Sequence, residues 1–178
     1  FVTSKSAGGG TPVFAITSAP AISLSNQASY TVSGTCAASG SNVTVVVGSL
    51  AASVPCNGGT WSTAGLDVRG LPDGAVLVTA SQTVDGAVVS SSQNAVKDTV
   101  APVVSIGMAP SIDTSNQGAY SPAGSCTSGD GTMTVKVGTV QAAAACINGS
   151  WTAPGMDVRG LPDGAVAVTA SQTDQAGN

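Results

Sequence analysis

The chain has 178 residues, of which only 8% are charged and 3% aromatic; five Lys plus Arg stand against nine Asp, with no Glu, for a net charge of −4. That balance offers no clustered basic surface for nucleic acid. The absence of histidine removes Ser-His-Asp and Cys-His catalysis and the commonest transition-metal ligand. A mean hydropathy of +0.31, with recurrent Val-rich alternation, excludes disorder for the body of the chain.

The dominant pattern is a repeat. The word DVRGLPDGAV at 67–76 returns at 157–166, 90 residues on. Cys36/Cys126, Cys56/Cys146, Trp61/Trp151 and Tyr30/Tyr120 keep the same offset, without a gap from Pro12/Pro102 onward. A fixed period of this size makes the chain two copies of one module. The expected division is a linker or end of a preceding segment at 1–11, repeat 1 at 12–99, and repeat 2 at 100–178 without its closing strand. The sequence reads as a segment of something longer.

In chain order, 1–11 runs into Gly8-Gly9-Gly10, a flexible joint. Two short apolar runs, VFAI and AISL, are broken by Ala19-Pro20, which suits an interrupted edge strand. SYTVSGTC alternates through Tyr30, Val32, Gly34 and Cys36, and NVTVVV places Val43, Val45 and Val47 on one face. LAASVP follows, and Asn57-Gly58-Gly59 turns the chain into TWST. The repeated word is a non-strand corner. Asp67 and Arg69 can pair locally, Leu71 can plug the end of the core, and Pro72 with Asp73-Gly74 turns into AVLVTASQT. There, Val76, Val78 and Ala80 share a face. A strand at about 87–96 closes the module. The second corner carries Asp157, Arg159, Leu161, Pro162, Asp163 and Gly164 in the same order. Short strands with a turn signal every 8–12 residues and no helical period predict an all-β fold, with one β-sandwich per module.

Four cysteines, two per module and none in a CxxC pair, predict intramodule disulfides Cys36–Cys56 and Cys126–Cys146. Each closes a loop worth roughly 3 kcal/mol in the chain-entropy model. Such bonds place the protein outside the reducing cytosol, and no apolar run approaches a membrane span. Tyr30, Trp61, Tyr120 and Trp151 sit in strand positions where an aromatic packs the core rather than stacking on a sugar. Repeat 2 stops before a counterpart of 87–96, leaving an edge to which residues 1–6 of a neighbouring molecule could pair. A carboxylate pair such as Asp67/Asp73 is conceivable for glycoside chemistry. It lies in a short duplicated corner with no pocket-building loops, so no enzymatic activity is expected.

GTCAASGSNVTVVV, GGTWS and LPDGAVLVTASQT, with their second copies ending in DQAGN and the linker DTVAP, resemble the bacterial immunoglobulin-like repeat of large secreted surface adhesins. The resemblance covers nearly the whole chain. It implies two tandem Ig-like β-sandwich modules used as structural extenders, projecting a distal binding tip in cell adhesion or biofilm at the bacterial cell surface. Partners would be neighbouring repeats of the same long chain and a host or matrix glycan or protein. It also implies Ca²⁺ near the module junction, with Asp98, Asp67, Asp73, Asp157, Asp163 and Asp174 as candidate ligands. The plainer reading makes Asp73 and Asp163 turn formers and pairs Asp67 and Asp157 with Arg69 and Arg159. Alternatives to the extender are a glycan- or protein-binding Ig-like module and a fibre component that self-associates through an open sheet edge. Loops 37–42 and 127–132 differ at every position between copies, as a binding surface or an unconstrained one would.

Overall fold

The computed structural model describes residues 14–178. The linker expected at 1–11, and edge pairing by residues 1–6, lie outside the described residues. The chain divides into two compact units, Phe1–Thr99 and Val100–Asn178, and every described strand-to-strand ladder is antiparallel.

Unit 1 is a sandwich. One sheet orders β1 (Ala15–Ser18), β2 (Ser33–Thr35) and β5 (Thr60–Ser62) as β1-β2-β5. The other orders β3 (Val43–Val47), β4 (Leu50–Val54), β6 (Gly74–Val84) and β7 (Ala87–Lys97) as β4-β3-β6-β7. The alternation in the sequence sets which side of each strand faces inward. Val43, Val45 and Val47 are fully buried on β3, and Val76, Val78 and Ala80 are buried on β6. These residues meet Tyr30, Val32 and Trp61 from the opposite side in one core. Full burial of a Val side chain contributes about 1.5–3 kcal/mol, so the inward valines supply much of the driving force.

The long β6–β7 hairpin turns on Asp85 (φ 50°) and Gly86 (φ 82°). Positive φ at both central residues is the type I′ geometry that matches strand twist.

Unit 2 repeats the plan. One sheet orders β8 (Ser105–Met108), β9 (Ala123–Ser125), β12 (Cys146–Ile147) and β13 (Ser150–Thr152) as β12-β13-β9-β8. The other orders β10 (Met133–Val137), β11 (Val140–Ala144) and β14 (Val168–Gln172) as β11-β10-β14. Met133, Val135 and Val137 are buried, with Tyr120, Trp151 and Met156 against them. β6 has a strand on each side, whereas β14 is the edge of its sheet.

Close packing explains one glycine pair. A Cβ built on Gly34 would lie 2.0 Å from the carbonyl oxygen of Ala15 and 2.7 Å from the Trp61 ring, and one on Gly124 would lie 1.9 Å from the carbonyl oxygen of Ser105. Only glycine lets the first strand of each unit cross this close to the tryptophan.

Each unit holds one disulfide. Cys36–Cys56 has Cα atoms 5.9 Å apart, Cys126–Cys146 6.0 Å, and each pair is 20 residues apart in sequence. The first bond ties the end of β2 to the segment after β4, so the β3–β4 hairpin sits inside a covalent loop.

Candidate functional site

The repeated corner gathers paired charged side chains in each unit. Its entry is fixed by main-chain bonds: Tyr30 and Leu66 exchange N–H···O contacts of 2.8 and 2.7 Å, and the Val68 N–H donates to the Gln27 carbonyl at 2.8 Å. Val68 and Val158 are buried at 0% and 2% exposure, so the flanking Asp and Arg point outward together.

The Arg69 main-chain N–H and Nε donate to Oδ1 of Asp67, and one terminal nitrogen donates to Oδ2 at 2.6 Å. Arg159 and Asp157 repeat the arrangement. The guanidinium bonds, helped by the arginine main-chain N–H, hold the carboxyls of Asp67 and Asp157 down at about 2.

Leu71 and Leu161 pack against their cores. Pro72 and Pro162 are exposed, and the chain turns at Gly74 (φ 121°) and Gly164 (φ 127°), a conformation side-chain-bearing residues rarely adopt.

Asp73 does more than form a turn. It accepts from the Thr99 N–H at 3.2 Å and from the Thr99 hydroxyl, and it receives the Lys97 ammonium at 3.3 Å. Lys97 is only 4% exposed and also donates to the Leu71 carbonyl at 2.7 Å. The Thr99 N–H leads the bonds that hold the Asp73 carboxyl below its ordinary value. Corner, closing strand and chain exit are thus clasped by one carboxylate. Asp163, its counterpart, is exposed; residues 90 positions after Lys97 and Thr99 fall beyond residue 178.

Two further anchors escaped sequence reading. Gln82, 2% exposed on β6, accepts from the Ala37 N–H at 2.9 Å and donates to the carbonyls of Ala37 and Ser41 at 2.9 and 2.7 Å. Gln172 holds loop 127–132 in the same way, through the Thr127 N–H and the carbonyls of Thr127 and Asp130. Every one of these bonds goes to main chain, so the anchor tolerates different side chains along the loop, although the backbones themselves differ: Gly129 (φ 93°) and Gly131 (φ 55°) take positive φ where Ser39 and Ser41 do not. The available signal was phase: Gln82 continues the inward parity of Val76, Val78 and Ala80.

The tyrosines anchor the segment before them. The Tyr30 hydroxyl donates to the Pro20 carbonyl at 2.7 Å, and that of Tyr120 to Pro110 at 2.8 Å; burial pushes Tyr30 up to about 12. Trp61 and Trp151 are 3% and 2% exposed, with indole N–H donated to the carbonyls of Thr35 and of Ser105 and Ser125.

The candidate calcium ligands are not brought together. Among the described residues no three acidic, His or Cys side chains cluster as a metal site would require. Asp67 and Asp157 are taken by arginines and Asp73 by Lys97 and Thr99. Asp174 accepts from the main chain and side chain of Asn178 at 2.9 and 2.8 Å, which hold its carboxyl below the ordinary value, the Asn178 side chain foremost. Asp98 bonds through its N–H to Ile22. This donor set does not fit the ion that the resemblance implies.

No family profile and no curated protein matches the sequence. Among solved structures, the chain is similar to the fibronectin(III)-like modules of Clostridium thermocellum CbhA, at 15% identity and a TM-score of 0.53, covering 93% of this chain and 87% of that one. It also aligns with a tetra-tandem repeat in the extending region of a large adhesion protein, at 24% identity and a TM-score of 0.39. That alignment covers 93% of this chain and 47% of the other, so this chain spans about half its length. No described helix is long and apolar enough to cross a membrane. The fold is established: two all-β modules of the Ig-like, fibronectin(III)-like sandwich class, each carrying one disulfide.

Proposed function

We propose that the two modules are structural extender repeats of an extracellular bacterial adhesin or fibre, related to the bacterial immunoglobulin-like repeats, and that they hold a distal tip away from the cell surface in adhesion or biofilm. One observation carries the reading. Side chains of the repeated words TASQT and DVRGLPDG are engaged within the scaffold: in unit 1 Asp67 with Arg69, Asp73 with Lys97 and Thr99, and Gln82 with the main chain of loop 37–42, and in unit 2 Asp157 with Arg159 and Gln172 with the main chain of loop 127–132. What the duplication preserves is a way of building a module rather than a reacting centre. The repeats have no catalytic role in this reading, their partners are neighbouring repeats of the same chain, and their disulfides fit an oxidising location. The adhesion-protein repeat named above is described as lying in an extending region, which agrees with the proposal without carrying it.

The test is mechanical. Stretched singly, each module should unfold in one event, and 20 residues held inside a disulfide loop should shorten the released length by roughly 70 Å, at about 3.5 Å per residue. Reductant should restore that length. Shortening the array in the parent protein should reduce reach while leaving tip affinity unchanged. An array whose deletion abolishes tip binding would defeat the reading.

A second reading keeps one specific support. Loops 37–42 and 127–132 vary in sequence yet are pinned through their main chain by a shared glutamine, as recognition loops on a rigid scaffold are. Saturable binding of the isolated two-repeat protein to a glycan or protein would favour direct recognition over extension.

A further inference from the structure

We propose that unit 1 pairs with a second copy of this chain through the outer face of its β4-β3-β6-β7 sheet, the two faces meeting about a two-fold axis. This goes beyond the extender reading, since a chain can reach without pairing and can pair without projecting a tip.

Strand register builds the face. Outward positions on the four strands fall into rows that run across the sheet. Ser53, Thr44, Ser81 and Ser90 stand side by side in one row. Two residues along each strand, Ala51, Val46, Thr79 and Ser92 line up in the next. Aliphatic residues close both ends of the face. Leu77 and Val96 lie beyond the second row, 54% and 58% exposed, and Val88, opposite Thr83, is 72% exposed past the first. None of these outward side chains is charged, and Lys97 of β7 points inward.

This chemistry selects the occupant. The chain carries a net charge of −4, so an acidic face would repel a second copy, whereas an uncharged one does not. A serine or threonine hydroxyl both donates and accepts. A row of them is therefore complementary to the same row turned through 180°, as an isologous contact requires. Stacking on a sugar would need an exposed aromatic ring, and in unit 1 Tyr30 and Trp61 are buried and Phe14 is half-buried. The dimensions also fit. Two strands of 11 residues and two of five cover about 500 Å², at roughly 3.3 Å per residue and 4.8 Å between strands. Two copies together bury about 1,000 Å², the lower bound for a specific contact, so the pairing is weak and reversible.

Unit 2 shows the same face with this property removed. Lys136 stands where unit 1 has Val46, exposed between Gln141 and Thr169. Pairing there would cover an ammonium with a surface that offers it no carboxylate. The contact therefore belongs to unit 1.

The test is sedimentation velocity on the 178-residue protein, disulfides intact, over a range from about 10 μM to about 1 mM, where weak dimers populate. A monomer–dimer equilibrium is expected, and added salt should not weaken it, because no charge pair holds it. On dilution, amide NMR shifts should move at Thr44, Val46, Thr79, Ser81 and Ser92 while unit 2 stays in place. Val46→Lys and Ser92→Lys should each weaken the dimer at least about tenfold, and Val46→Thr should keep it. The first substitution copies unit 2 and the second falls on an exposed position, so the fold survives both, which their spectra verify. The inference is overturned by a protein that stays monomeric throughout, by dimers that the lysine variants leave intact, or by dilution shifts confined to other strands. It is also overturned if a soluble oligosaccharide moves the same amides of a protein that remains monomeric, since the face would then take a sugar.

Discussion

The Lys97 ammonium lies 2.7 Å from the main-chain carbonyl of Leu71 and 3.3 Å from a carboxylate oxygen of Asp73, with only 4% of the lysine exposed. The end of the closing strand is thereby locked onto the corner that launches its partner strand. Removing the acid leaves a buried ammonium with one acceptor, whereas replacing the lysine by an apolar side chain removes the charge altogether.

Asp73→Ala should therefore lower the melting temperature of unit 1 more than Lys97→Met, the former by roughly 5–10 °C for a module of this size. Calorimetry on the two variants checks the order; the reverse order would mean that the stem, not the charge, carries the contact. The carboxyl of Asp73 is lowered from 3.8 in the fold. Its contribution is fully present above 3.8 and is lost as pH falls through the lower folded value. Asp73→Asn should flatten the acid limb of unit 1 in that window.

Asp67 and Asp157, each forked by its arginine, should titrate at about 2 when followed by carboxyl NMR. Arg69→Gln should move Asp67 up toward 3.8 while Asp157 stays in place. The stabilisation from each pair is present above 3.8 and disappears as pH falls through about 2. Because the pairs are exposed, the melting temperature at neutral pH should change little. An Asp67 value unmoved by Arg69→Gln would assign the shift to the turn backbone.

Gln82→Leu should destabilise unit 1 by about 2–4 kcal/mol, since it strands one N–H and two carbonyls of loop 37–42. Hydrogen exchange at Ala37 should speed up most. Substitutions at Ser39 and Ala38, exposed in that loop, should cost under about 0.5 kcal/mol. Equal costs at both places would refute the main-chain clasp.

The double change Cys36→Ser with Cys56→Ser should lower the stability of unit 1 by roughly 3 kcal/mol and leave unit 2 unaffected. Limited proteolysis should then cut within 43–54, the hairpin that the bond encloses. Unchanged thermal and protease stability would remove the staple from the account.

Strand phase was legible because one face of each strand must be apolar: Val43, Val45 and Val47, and Val76, Val78 and Ala80, lie where alternation puts them. The clasps were not. A glutamine in a Ser/Thr-rich strand and a lysine before an Asp-Thr linker read as solvent-facing types, and their partners lie 45 and 26 residues away. Only closure of the sandwich brings those atoms together. The corner carboxylates show the same limit: the Asp67–Arg69 pair is legible because the two are neighbours in the chain, whereas the Lys97 and Thr99 donors to Asp73 lie 24 and 26 residues away.

The sequence by itself determined the duplication, the alternating strands and the two cysteine loops, because period, parity and spacing are one-dimensional properties. The tertiary structure decided what the corner and the buried glutamines grip, because those contacts depend on strands far apart in the chain lying side by side. Val76 and Val166 occupy the same place in the same repeated word. Both pack on the core of their unit, as the parity of the word requires, whereas the partners that Asp73 finds in Lys97 and Thr99 cannot be read from the word.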